Sequence, residues 1–245
     1  EQLFNVDRRH TNSTSDTEML LNVLATELQT HSKSKDLSPQ NIFDAVKSVH
    51  KRIQGSYASI SLIAGQGLLA FRDPFGIRPL VLGKRISKDN HVEWMCASES
   101  LVLENNDYEI VRDVNPGEAI FISLNGEFFS QQCSNKINLF PCAFEYVYLA
   151  RPDSVMNGIS VYEARLRMGD FLAKTIKQII TTGDIDVVMP IPDSSRPAAM
   201  QVARQLSIEY REGFFKNRYV GRTFIMPGQA QRKKSVRQKL NAMGT

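Results

Sequence analysis

Apolar residues at Met19, Leu20, Val23, Leu24 and Leu28 recur at intervals of three and four, which predicts a helix over 13–31. Ser15 followed by Glu18 has the spacing of a capping box, a hydroxyl for the free N–H groups and a carboxylate to reach back. The polar stretch His31 to Ser38 reads as a loop. Pro39 then falls in the first turn of a second helix, with Ile42, Phe43, Val46, Val49 and Ile53 on one face and Gly55 as its stop. From Tyr57 onward the texture becomes that of strands: 57–64, 68–71, 80–82, 92–97, 119–122 and 127–130. Gly65-Gln66-Gly67 and Leu124-Asn125-Gly126 supply turns. Two helices followed by antiparallel-type strands predict a sheet with helices packed on it, hence α+β.

The pattern turns irregular around Asn135–Pro141, the expected junction between domains 1–140 and 141–245. Beyond it come a helix over about 161–180, a strand 186–189, a loop Pro190–Ser195, a helix 197–206 and a short strand near 210–214. Strand, loop and helix in alternation predict the start of a parallel α/β sheet. Residues 229–245 offer no apolar pattern, so no buried helix or strand is expected there. With Glu1 rather than Met at the start, the expectation is a portion of something longer.

Composition narrows the class. Of 245 residues 42% are hydrophobic and 23% charged, which excludes a chain dominated by disorder. No apolar run approaches the roughly 20 residues of a membrane helix, and no signal peptide opens the chain, so a soluble cytoplasmic protein with no membrane partner is expected. Cys96, Cys133 and Cys142 lie too far apart to frame disulfides or a zinc site, and His10, His31, His50 and His91 lack metal spacing. Net charge is +4, unevenly spread. From Lys216 on there are eight basic residues and no acidic one, which leaves 22 basic against 26 acidic residues in 1–215. A basic tail on an acidic body points to a polyanion, either a nucleic acid or a phosphorylated small molecule.

The densest chemistry lies in Arg72-Asp73-Pro74-Phe75-Gly76-Ile77-Arg78-Pro79-Leu80, a stiff charged loop directly after a strand. By physics alone it is a tight turn with an Arg–Asp pair. Its pattern, with Ala97-Ser98-Glu99-Ser100, resembles the class II glutamine amidotransferases. Three later segments resemble the amidophosphoribosyltransferase family: Phe144 to Ser154, Pro190-Ile191-Pro192-Asp193-Ser194, and Lys216 to Phe224. The likeness runs from Leu3 to Asn241. It implies part of an N-terminal-nucleophile hydrolase (class II glutaminase) domain, 1–140, joined to the start of a type I phosphoribosyltransferase domain, 141–245. The implied activity is release of ammonia from glutamine. That ammonia then displaces pyrophosphate from phosphoribosyl pyrophosphate (PRPP), giving 5-phosphoribosylamine at the committed step of purine synthesis.

The resemblance also assigns residues. Asp16 would hold the α-amino group of glutamine, although an acid in the first turn of a helix is favourable in itself. Arg72 and Asp73 would border the glutamine site. Asp193, Ser194 and Ser195, in the loop opening a helix, would bind PRPP, where free backbone N–H groups suit phosphate oxygens. Ser194 would touch the magnesium carried by PRPP, a single hydroxyl being a weak site by itself. Without the neighbouring motifs Asp193 and Ser194 read as helix caps. Lys216, Tyr219 and Arg222 belong to a segment, Lys216 to Gln229, that resembles a loop closing over PRPP. Its cations would neutralise phosphates, and Tyr219, Phe224 and Ile225 would keep water out.

The same resemblance marks what the sequence lacks. The family's nucleophile is a processed N-terminal cysteine, and Cys96, Cys133 and Cys142 occupy other positions. Its Asn–Gly oxyanion pair and the acidic pair that contacts ribose are missing too, so the chain as written is expected to be inactive. Cys142 matches one ligand of the iron–sulfur cluster that some members carry, which leaves the cluster undecided, and a small buried thiol is the plainer reading. Purine nucleotides are the implied feedback inhibitors, and a homo-oligomer is the implied assembly. A nucleic-acid module is disfavoured by the absence of aromatic residues in Arg232–Lys239. Other class II amidotransferases should share Arg72–Leu80 but lack the later motifs.

Overall fold

The structure, a computed structural model, describes residues 5–32, 37–180, 182–221 and 228–244. It divides into two compact units, Glu1–Cys142 with Val155–Asn157, and Ala143–Ser154 with Gly158–Thr245.

In the first unit helix α1 (Asp16–His31) begins three residues later than its periodicity suggests. Ser15 is its N-cap, but the Ser15 side chain makes no capping bond. The expected capping box does not form, because Glu18 instead accepts from the Asn12 N–H at 2.7 Å and the Ser13 N–H at 2.8 Å. These bonds hold its carboxyl below the usual range. Helix α2 (Pro39–Arg52) does carry a capping box, between Ser38 and Asn41, with Pro39 in the first turn. Ile42, Phe43, Ala45, Val46 and Val49 form its buried face. Arg52 at its end joins Glu27 of α1 (2.6 Å) and Asp7.

The strands are β1 (Ala58–Ile63), β2 (Gly67–Arg72), β3 (Val81–Ile86), β4 (Val92–Ala97), then helix α3 (Ser100–Glu104), β5 (Glu109–Asp113), β6 (Glu118–Ser123), β7 (Phe128–Gln132) and β8 (Val155–Met156). Strands β1–β7 make two antiparallel sheets rather than one, ordered β1-β2-β6-β7 and β4-β3-β5. Strand β5 and helix α3 go beyond the sequence reading; Glu109-Ile110-Val111-Arg112-Asp113 is largely exposed and has no alternation to betray it. Two cores explain the layering. Val23, Ile42, Phe43, Val46, Leu69, Phe71 and Phe121 fill the space between helices and the first sheet. Ala70, Leu80, Leu82, Val114 and Ile120 fill a second cluster on the alternate side chains of β2 and β6. A fully buried aliphatic or aromatic side chain of this kind contributes about 1.5–3 kcal/mol.

The second unit runs β9 (Ile159–Ser160), α4 (Val161–Ile179), β10 (Val187–Val188), α5 (Arg196–Leu206), β11 (Glu209–Tyr210), β12 (Phe214–Lys216), α6 (Gln229–Lys239) and β13 (Leu240–Ala242). The strand expected over 186–189 is two residues long, paired parallel with β11. The strand expected near 210–214 is two strands, since Arg211–Gly213 turn away between them. Helix α4 packs on α5 at Gly169, where a Cβ would come within 2.6 Å of the Ala198 carbonyl oxygen. The segment 229–245, expected to hold no packed element, is helical over α6 and then pairs β13 with β12 in antiparallel register. Gln, Ala, Lys and Arg are good helix formers without any apolar stripe, so α6 forms by propensity and buries little beyond Ser235.

Candidate functional site

The loop after β2 is built around two buried charges. Asp73 is 0% exposed and Arg72 1%. Asp73 Oδ1 accepts from the backbone N–H groups of Phe75 (3.0 Å) and Ile77 (3.1 Å), and Oδ2 from that of Arg78 (3.1 Å). The Arg72 guanidinium donates to the carbonyls of Arg78 (2.7 Å), Val114 (2.7 Å) and Gly76 (2.8 Å), and twice to Asn157 Oδ1 (3.1 Å). Gly76 is obligatory at its centre: φ is +57°, and a Cβ would meet Pro116 and Leu139 at 2.9 Å. Arg72 and Asp73 therefore stand behind the loop and hold its shape, rather than facing a cavity as side chains that touch glutamine would.

Beside the loop, His50 Nδ1 meets the Tyr57 hydroxyl at 2.7 Å, and both rings contact Phe71. Burial pushes the His50 imidazole down to about 4 and the Tyr57 hydroxyl above its ordinary range. A cavity of about 690 Å³ opens next to His50, lined also by Lys51, Gln54, Phe75 and Asn135. Asp16 is exposed in the first turn of α1, and its carboxylate makes no ion pair among the described residues. Cys96 and Cys133 are buried, and burial pushes each thiol up to about 12, which removes the thiolate a nucleophile requires. Cys142 is half-buried, its N–H bonded to the Ile77 carbonyl.

In the second unit the loop Pro190–Ser195 leads into α5, and the Pro192–Asp193 peptide is cis. A cleft of about 730 Å³ opens there, bounded by Ala150–Pro152, Pro192–Ser194 and side chains from β12 and α6. Six cations line it: Arg151, Arg165, Arg196, Lys216, Arg218 and Lys239. Asp193 is the one acidic side chain in the lining among the described residues. Its Oδ2 accepts from Lys216 Nζ at 2.7 Å and its Oδ1 from Arg196 at 2.8 Å. Burial alone would raise the Asp193 carboxyl, yet Lys216, with Arg196 and Arg218, holds it below the usual range. Ser195 is the N-cap of α5, but its hydroxyl donates to the Ile191 carbonyl at 2.6 Å and caps no N–H. Neither Asp193 nor Ser194 caps the helix, so the plainer sequence reading of them does not hold.

The cleft thus brings Asp193, Ser194 and Lys216 together. Tyr219 is 100% exposed and borders a smaller recess of about 340 Å³ with Phe215 and Arg218. Arg222, Phe224 and Ile225 lie outside the described residues. Ser194 contributes a lone hydroxyl and both Asp193 oxygens are taken by cations, so these residues do not compose a protein-built magnesium site. No cluster of three or more His, Cys, Asp or Glu able to hold a metal occurs among the described residues. The sequence reading counted Arg218 among the cations that neutralise phosphates but missed Arg151, Arg165, Arg196 and Lys239. Arg165 had a signal: Val161, Arg165, Gly169 and Ala173 fall on one face at intervals of four, and that face is buried. Buried Arg165 donates to the carbonyls of Tyr146 (2.8 Å) and Ala150 (2.7 Å), fixing the chain that carries Arg151.

No family model matches the chain. It is 54% identical over 246 residues to an amidophosphoribosyltransferase of Pasteurella multocida, covering 100% of this chain and 48% of that protein. It is 52% identical over 242 residues to the amidophosphoribosyltransferase of Escherichia coli, covering 99% and 48%. Among solved structures, glutamine PRPP amidotransferase from B. subtilis, complexed with ADP and GMP, superposes with a TM-score of 0.73 at 34% identity, over 99% of this chain and 48% of that one. Over its whole length the chain is similar to the amidophosphoribosyltransferases and to a solved PRPP amidotransferase, with mixed α/β sheets. It spans about half the length of the relatives it matches.

Proposed function

We propose that the protein to which this chain corresponds converts PRPP to 5-phosphoribosylamine with nitrogen taken from glutamine, and that the second unit contributes the diphosphate-binding part of the transferase site. The observation that carries this is the cleft of six cations around Asp193 at the start of α5. The flanking guanidinium groups and the Lys216 ammonium suit a diphosphate. In the transfer, the ammonia nitrogen bonds to the ribose carbon, the bond from that carbon to the pyrophosphate oxygen breaks, and the cations hold the departing charge. Magnesium enters as part of the substrate complex, taking its oxygens from the diphosphate, with Ser194 close by. Lys216, Tyr219 and Arg222 belong to the closing segment in this reading, with Asp193 and Ser195 shaping the floor.

The first unit, with Asp16 exposed on α1, is assigned to the glutaminase domain of an N-terminal-nucleophile hydrolase. Asp16 would engage the α-amino group of glutamine. The loop shaped by Arg72 and Asp73 would border that site through its backbone. Purine nucleotides as inhibitors, a homo-oligomer and a cytoplasmic setting complete the proposal; no helix among the described residues is long and apolar enough to cross a membrane.

The test is limited proteolysis with and without PRPP and magnesium. Protection of residues 216–229 by PRPP supports the assignment. Cleavage unaffected by PRPP, or salt-sensitive oligonucleotide binding in its place, overturns it.

A further inference from the structure

A chain of hydrogen bonds runs through the second unit behind the cleft. Glu212, between β11 and β12, uses one oxygen, Oε1, to accept from both Arg196 Nε (2.9 Å) and the Tyr210 hydroxyl (2.8 Å). Its other oxygen, Oε2, is buried with no hydrogen-bond partner. A carboxylate left half-satisfied is placed for something other than its own solvation. What it does is clamp Arg196, whose Nη1 reaches Asp193 Oδ1 at 2.8 Å. Lys216 occupies the opposite oxygen of Asp193 at 2.7 Å. Asp193 therefore has two cations, one on each oxygen, and only Arg196 is fastened from behind.

We propose that Arg196, held by Glu212, is a positioning residue that keeps the charge of Asp193 balanced, so that Lys216 can exchange Asp193 for a phosphate oxygen. The inference rests on the reading of this cleft as a diphosphate site. Lys216 and Asp193 are partly exposed, so their pair is weak enough for a phosphate to compete. Without Arg196, the approaching anion faces a carboxylate whose one direct partner is Lys216, and Lys216 stays with it. Arg218 adds positive charge nearby but makes no hydrogen bond to Asp193 that would replace Arg196.

Titration calorimetry with inorganic diphosphate and magnesium tests this. Arg196→Met should weaken binding about tenfold, and Asp193→Asn added to it should restore affinity to within about threefold of the parent. Glu212→Gln supplies a sharper sign. Long-range electrostatics makes removal of a negative charge beside an anion site tighten binding, whereas loss of the clamp should weaken it about threefold. Weaker binding by Glu212→Gln, together with rescue of Arg196→Met by Asp193→Asn, supports the exchange. Tighter binding by Glu212→Gln, or an unrescued double variant with an unchanged melting temperature, overturns it. A parent protein that takes up no diphosphate overturns the site assignment beneath it.

Discussion

Two loops in this protein are made from the same residue types and fold to opposite ends. Arg72-Asp73-Pro74 follows a strand and Pro192-Asp193, with Arg196 close behind, opens a helix; each pairs an aspartate with an arginine beside a proline. In the first, both charges are sealed inside the unit and bonded to backbone. In the second, Asp193 keeps 40% and Arg196 39% of the side chain exposed, and the cations around them outnumber the acid. A charge whose hydrogen bonds are all internal sets the shape of the chain and has nothing left for a ligand. A charge bonded only to other partly exposed charges can exchange partners. Side-chain type alone therefore says little about which arginine or aspartate binds a substrate.

The comparison can be broken by unequal losses. The largest is expected at Arg72→Met, which strands three carbonyls and Asn157 inside the unit and should lower unfolding free energy by about 3–5 kcal/mol in urea titrations. A loss below about 1 kcal/mol would mean the loop does not depend on its buried charge. Next comes acid. His50 titrates at about 4 in the folded unit against 6.5 in an open chain, so unfolding takes up a proton between those values. Stability from this residue is complete above pH 6.5 and is lost as pH falls toward 4, by at most about 3 kcal/mol. Denaturation midpoints measured across pH 4–7 check this, and a flat profile would show that the imidazole is not desolvated.

Gly76→Ala should cost about 1–3 kcal/mol, because the positive φ and the contacts with Pro116 and Leu139 both oppose a Cβ. An unchanged melting temperature would count against the packing described. The smallest effect on stability, and the clearest on binding, is expected at Lys216→Met. It should change unfolding by less than about 1 kcal/mol while weakening diphosphate binding about tenfold, with a shallower salt dependence. Equal losses of stability at Arg72 and Lys216 would erase the distinction between the two loops.

Much of the layout was legible along the chain. The intervals in Ile42, Phe43, Val46 and Val49 located α2, and the strand 92–97 was read to its exact limits. The errors have local causes. Glu18 had the spacing of a capping box, but the N–H groups of Asn12 and Ser13 competed for it. Strand β5 carries charge at both ends and is held by pairing with β3, which no window of sequence records. Lys239, last residue of α6, lies in sequence far from Asp193, and nothing local signals that both line one cleft.

The sequence by itself determined α1, α2, α4, α5 and most strands of the first unit, because side-chain periodicity and backbone preferences act over a few neighbouring residues. Its motifs also carried the family resemblance. Which arginine is sealed and which is available was settled in three dimensions: Arg72 meets Val114 and Asn157, partners 42 and 85 residues away. Burial and electrostatic environment are properties of everything that surrounds a group, and the folded chain alone brings those surroundings together.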